Sequence, residues 1–276
     1  SFATLMEYIA VDALHPEWNI WLEFSTNESI MALRRDAIDG VQSVQVDVSH
    51  PDEISTLFDG AIVYAKGARL LRMLQHYVGN TAFRAGLTQY FASFAYDNTE
   101  GDDLWKAIGD ASGKDIASMM NTWISQPGYP VVSVKQDGTT VTLTQSQFYI
   151  GPHQPSHALW PIPLESTCGE MPSLLTEHAS EVTRHHTSTL RFNSGDTAHF
   201  ITHYSPALFA KLLEDLEEGN LSEIDRIQLL NETTLLIRGG LIGSAELIPL
   251  ITAFKDETSE PVWGMISLAL SELRKF

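Results

Sequence analysis

The run QPGYP at residues 126 to 130 does most to limit the folds open to this chain. A helix cannot pass through Pro-Gly-x-Pro: proline removes a backbone donor and bars helical geometry from the residue before it, and glycine frees the chain to turn. The apolar period also changes there. Ahead of it, apolar residues recur at three- and four-residue steps; behind it, VVSVKQDGTTVTLTQ alternates apolar and polar, the pattern of a half-buried strand. A helical region is therefore expected over 1–128 and a β region from residue 129.

Within the helical region, apolar spacing predicts a helix from Phe2 to Leu14, stopped by HPEW because Pro16 disfavours helical geometry at His15. A loop-rich segment is expected next, then a short extended stretch over VQSVQVDVSHP, Val41 to Pro51, before DEIS reopens helix. Val63, Gly67, Leu70, Leu71, Leu74, Tyr77 and Val78 form one buried helical face, and Gly79 is a natural stop. Asn80 can cap a helix carrying Phe83, Leu87, Tyr90, Phe91 and Phe94, and Thr99 can start another through Leu104, Trp105 and Ile108 to Ser112-Gly113. The last runs through Ile116, Met119, Met120 and Trp123.

After Tyr129, Val132 and Val134 face Val141 and Leu143 across Asp137-Gly138, a strong hairpin signal. ALWPIPLEST, TRHHTSTLRF and TAHFITHY read as further short strands, so residues 129–204 are expected to form a small antiparallel sandwich. Ser205-Pro206 then places a cap before a proline at the first helical position. LSEIDRIQLLNETTLLIRGG opens with Ser222 and Asp225 as a capping pair and closes at Gly239-Gly240, and further helices start from Ala245 and Glu260. Residues 205–276 are read as antiparallel helical pairs, and the whole as a multidomain α+β chain.

With 276 residues, 43% hydrophobic and 19% charged, the chain can bury a sizeable core, and its length favours about two domains. A formal charge of −18 argues against nucleic acid or an anionic membrane as partner, since both need a basic footprint. No apolar run reaches the roughly 18 to 20 residues of a membrane span. The sequence starts at SFATLMEYIAVDAL inside a helical pattern and stops at SELRKF while a helix is running, so a piece of a longer protein is expected. Cys168 is the only cysteine and cannot close an internal disulfide, which points to a reducing, cytoplasmic compartment.

Ten histidines invite a metal site, yet HExxH is absent. His199 and His203 on a strand would stand about 13 Å apart, and His185 and His186 would face opposite ways. His153 and His157 flank a loop without a third ligand and read as solvated. There is no GxSxG elbow, Cys168 in STCGEMP has no evident His partner, and the carboxylate groups Asp102 with Asp103, and Glu214 with Glu217 and Glu218, suit helix starts and solvated faces. Tyr64 remains. A neutral phenol at a helix start can donate to an oxyanion without carrying charge; the same position equally suits an anchor residue with its hydroxyl at the surface.

The order of motifs narrows the choice. SFATLMEY, FDGAIVYAKGARLLRML, VGNTAFRAGLTQYF, DDLWKAI and NTWISQPGYPVVSV together resemble the second half of the catalytic domain of the zinc aminopeptidases of the aminopeptidase N type, which are gluzincins. In that family a small β-sandwich follows the W-x-x-Q-x-G-[YF]-P motif. A helical C-terminal domain then opens with S-x-x-D-R-x-x-L-L, here Ser222 to Leu230, so the resemblance spans essentially the whole chain. It implies the α-helical half of a thermolysin-like catalytic domain over 1–128, the sandwich over 129–204 and the start of the helical domain over 205–276.

The resemblance also implies roles. Tyr64, in the Y-x-K-G motif, matches the family tyrosine that donates its hydroxyl to the transition-state oxyanion, with Lys66 and Gly67 as its local support. The family's HExxH helix supplies two zinc ligands and a glutamate base, and a W-x-N-E-[GS]-F-A segment supplies the third ligand. This chain begins at the Ser of that segment, so the metal ligands are expected before Ser1, with zinc in the longer protein and no cofactor in this chain. The longer protein is expected to hydrolyse N-terminal residues from peptides, and the chain alone to be inactive. Surface normally covered by the rest of the catalytic domain is expected to promote self-association. The alternative is a non-catalytic peptide-binding or interaction scaffold derived from the same family.

Overall fold

In the computed structural model, residues 1–273 are described; 274–276, the end of the last expected helix, lie outside the described residues. Helix α1 (Phe2–Leu14) buries Leu5 and Tyr8 and gives way to a 3-10 turn at Pro16–Trp18, as the proline requires. The segment expected to be loop-rich is instead helical: α2 (Ile20–Phe24) runs through a π-helical turn at Ser25–Ser29 into α3 (Ile30–Asp36). The wide turn explains why the period was hidden. Its five residues, STNES, are all polar, so between Phe24 and Ile30 no apolar residue marks the face that Ser25 and Ser29 bury.

The stretch from Val41 to Pro51 forms no strand; it crosses as irregular chain, tied by Gln45 N–H to the Ile124 carbonyl at 2.9 Å. A 3-10 segment at Pro51–Thr56 and a second π-helical turn at Gly60–Lys66 lead into α4 (Gly67–Val78), which ends at Gly79 with φ 82°. Helices α5 (Asn80–Ser93), α6 (Gly101–Ser112) and α7 (Ile116–Ser125) complete the region. Asn80 and Thr99 are not the caps: α5 starts after Gly79, and α6 starts after Glu100, whose N–H bonds the Asp103 carboxylate at 2.9 Å.

Strands β1 (Pro130–Asp137) and β2 (Thr140–Gln147) form the expected hairpin, with Val134 opposite Leu143. Two short strands, β3 (Ile162–Pro163) and β4 (Leu174–Leu175), make a separate two-stranded ladder. With β5 (Ala179–Thr183) and β6 (Ile201–Tyr204) the main sheet has the order β5-β2-β1-β6. The expectation of a wholly antiparallel region is corrected here, because β6 runs parallel to β1. Parallel pairing needs a crossover, and the long excursion between β2 and β6 supplies it. TRHHTSTLRF pairs only through Thr183 and a bridge from Phe192 to Ser166.

Helix α8 (Pro206–Glu217) returns the chain to helix at Ser205-Pro206, followed by α9 (Glu223–Arg238), α10 (Leu247–Ala253) and α11 (Glu260–Leu273). Ser222 caps α9 by accepting from Asp225 N–H at 3.2 Å, and the Asp225 carboxylate reaches across to Gly195 N–H and Arg191. One apolar cluster runs through the whole molecule, from Leu5 through Trp123, Trp160 and Phe200 to Leu230 and Val262. Among the described residues, no helix is long and apolar enough to cross a membrane.

Candidate active site

Tyr64 lies in the π-helical turn that precedes α4. Such turns hold one residue more than an α-turn and bulge the backbone outward. Ile62, Ala65 and Lys66 face inward and are buried, while Tyr64 is 43% exposed. Among the described residues nothing bonds its hydroxyl, so the phenol is presented as a free donor.

Four contacts hold the turn. Asp59 caps it by accepting from Ala61 N–H at 2.9 Å, and Arg35 bonds the other Asp59 oxygen at 2.8 Å. Ser1 donates its hydroxyl to the Val63 carbonyl. Gly67 completes the fit: a Cβ there would stand 2.7 Å from the Ser1 Cβ, closer than side chains pack. Leu70, Leu71 and Leu74 anchor α4 in the core behind it.

Lys66, for which the sequence offered no partner, is 0% exposed and grips two separate parts of the chain. Its Nζ lies 2.9 Å from Asp36 Oδ2, at the end of α3, and donates to the Gln126 and Gly128 carbonyls at 3.3 and 3.1 Å. Asp36 Oδ1 in turn accepts from Gly128 N–H at 2.9 Å. The Y-x-K-G and QPGYP motifs are thus two halves of one buried clamp. Burial alone would raise the Asp36 carboxyl, but the Lys66 ammonium and the bond from His199 outweigh it and hold the group below the ordinary carboxylate range.

The clamp extends into the sheet region through His199, just before β6. Its Nε2 lies 2.9 Å from Asp36 Oδ2 and its Nδ1 accepts from Arg69 Nε at 3.1 Å. Arg69 cannot accept, so Nδ1 carries no proton and Nε2–H is the donor to Asp36. Burial pushes the ring down to about 4, against the pull of Asp36 and with the Arg69 and Lys66 cations adding to it. Arg69 also makes a two-pronged bond to Asp196 at 2.8 and 3.0 Å and reaches Ser29 and the Ala198 carbonyl.

Sequence reasoning missed Asp36, Arg69, Asp196 and His199. A partial signal was present: Lys66, Arg69 and Arg72 recur every three residues in a stretch otherwise read as core, and cations on a buried face demand partners. The partners themselves had no local signature. His199 and His203 do not converge; His199 is buried in the clamp, and His203 lies on β6 beside Ser133. Cys168 is buried and free. Among the described residues, no three His, Cys, Asp or Glu side chains are grouped to hold a metal ion.

Residues 1–123 match the peptidase family M1 domain, and residues 190–276 match the ERAP1-like C-terminal domain. The chain belongs to the M1 family of peptidases. Along its length it is similar to aminopeptidase N: 43% identical over 283 residues to that of Lactococcus lactis subsp. cremoris, covering 100% of this chain and 33% of the relative. It is 40% identical to aminopeptidase N of Lactobacillus helveticus, with 100% and 33% covered, and 34% identical to tricorn protease-interacting factor F2 of Thermoplasma volcanium, with 99% and 34% covered. The chain spans about a third of the length of the curated relatives it matches.

Proposed function

We propose that this chain is the oxyanion-side portion of a zinc aminopeptidase that removes N-terminal residues from peptides in the cytoplasm. Tyr64 donates its phenolic hydrogen to the oxyanion that develops on the scissile carbonyl, and Lys66 and Gly67 hold its turn in place. The observation that carries the reading is the free, outward hydroxyl on a turn whose inward residues are fully locked. Preorganised donors of this kind act because they need no reorganisation as charge develops. Zinc would be held by ligands in the part of the catalytic domain that precedes this segment in the family. The sheet region serves as the family's sandwich domain, and residues from Ser205 onward open its helical domain.

The test joins this segment to the amino-terminal part of the catalytic domain and follows release of N-terminal residues from aminoacyl chromogenic substrates. Turnover is expected to be chelator-sensitive and to fall about 100- to 1,000-fold in Tyr64→Phe. The isolated chain is expected to show neither turnover nor stoichiometric zinc uptake. A Tyr64→Phe enzyme as fast as wild type would remove the donor role, and an inert joined protein with zinc present would favour the scaffold reading.

A further inference from the structure

A cavity of about 270 Å³ lies between β6, the facing sides of α8 and α9, and the loop that follows α9. Its walls include Phe209, Leu236 and Ile242, while Glu232 lies at its inner end and the exposed Glu246 at its mouth. Glu232 is 4% exposed. A carboxyl group so placed is costly to the fold when ionised, and nothing in the reaction proposed above uses it.

Its bonds leave capacity. Oε2 accepts from Thr202 N–H at 3.1 Å and Oε1 accepts from Gln228 at 2.8 Å, which occupies one acceptor position on each oxygen and leaves the others open. Among the described residues, no cation is bonded to it. The groups that face it are Gln228 on its own helix and the Thr202 amide and Tyr204 phenol on β6; Asp196 and Arg69 act from farther off, the mutually paired Arg191 and Asp225 lie across a small void on its other side, and His203 and Glu246 line the same cavity. Apolar walls around a buried acid, a second acid at the entrance and a formal charge of −18 complement a ligand with a greasy body and one positive head.

We propose that this cavity binds a small hydrophobic ammonium ion, its apolar body against Phe209, Leu236 and Ile242 and its cationic head on the Glu232 carboxylate. Burial, with Asp196 adding to it, raises the empty site's Glu232 to about 8 despite the Gln228 and Thr202 bonds, so near pH 7 the carboxyl carries its proton. Binding then ionises Glu232 and sends that proton to solvent. The ligand-competent ionised form grows about tenfold from pH 7 to pH 9, and apparent affinity grows with it.

Calorimetric titration of the chain with phenethylammonium chloride, in buffers of different ionisation enthalpy, tests this. The expected result is a dissociation constant on the order of 1 mM, with about 0.9 proton released per ligand at pH 7 and little release at pH 9. Glu232→Gln keeps the side-chain shape, and it is expected to abolish proton release and weaken binding about tenfold or more. Ile242→Trp, which fills the cavity from its wall, is expected to remove binding. Absence of heat at millimolar ligand, equal binding by uncharged 2-phenylethanol, or wild-type affinity in either variant would each overturn the assignment.

Discussion

His199 is neutral because Arg69 can only donate to it, and protonating Nδ1 would break that bond and add a cation beside Lys66 and Arg69. With a folded-state value of about 4 against the ordinary 6.5, the folded chain holds fewer protons than the unfolded chain between those values. The stability this confers is complete above pH 6.5 and lost as pH falls through about 4, on the order of 3 kcal/mol in all. His199→Gln is expected to flatten the acid side of a stability-against-pH curve measured by denaturant unfolding, while lowering stability at neutral pH by about 1–3 kcal/mol. An unchanged acid slope would mean that the ring is not the group responsible. Lys66 makes a second prediction at this scale. Lys66→Met leaves the Asp36 carboxylate buried without its cation and is expected to cost about 3–5 kcal/mol. Adding Asp36→Asn removes the stranded charge, so the double variant should be less stable than wild type by about 1–3 kcal/mol less than the sum of the two single effects. Strict additivity would show that the two groups are not coupled.

Among the elements, the turn at Gly60–Lys66 and the start of α4 carry the most consequence. Gly67 has ordinary helical backbone, φ −58°, so conformational freedom does not explain a glycine there; the approach of Ser1 does. Two effects compete in Gly67→Ala. Helix propensity favours alanine by about 1 kcal/mol, whereas forcing a methyl into packed contact costs about 1–3 kcal/mol. The clash is the larger, because the Ser1 Cβ lies 2.7 Å from the new carbon and Ser1 is itself tied to Val63. Gly67→Ala is therefore expected to lower the unfolding midpoint. Ser1→Gly in the same chain removes the obstructing atoms and should return part of the loss, since the Ser1 Cα stands at 3.6 Å, an ordinary contact. If the single variant is stabilised, propensity has won and Ser1 is free to move aside.

For the molecule as a whole, the continuous core and the clamp argue that the helical and sheet regions unfold together. Trp123 of α7 donates to the Pro161 carbonyl at 2.8 Å and packs 6.1 Å from Trp160, whose backbone is bonded at both N–H and carbonyl by Gln145 of β2. Arg69 and Asp196 make a second tie across the same junction. Tryptophan fluorescence and far-ultraviolet circular dichroism should therefore report coincident denaturant transitions. Separated transitions would show that the junction is weaker than its contacts imply.

Local chemistry acts over a few residues, and what it governs was legible. Pro16 and the QPGYP run end helices, Asp137-Gly138 turns a hairpin, Ser222 caps α9, and Tyr64 could be placed at the opening of α4 from the spacing of its apolar neighbours. The polar run STNES hid the link between α2 and α3, because the face it buries carries Ser25 and Ser29 in place of apolar residues. The sequence by itself thus determined the helical and sheet regions and the elements that carry their own stop, turn or cap signals, while α2, α3 and the irregular 41–50 stretch escaped it. Only the tertiary structure decided that β6 runs parallel to β1, that Lys66 meets Asp36 and the 126–128 carbonyls, and that His199 closes on Asp36 across 163 residues. Such pairings are selected by burial: a charged group taken from water must find a partner wherever the fold brings one, and no pattern of neighbours along the chain records where that is.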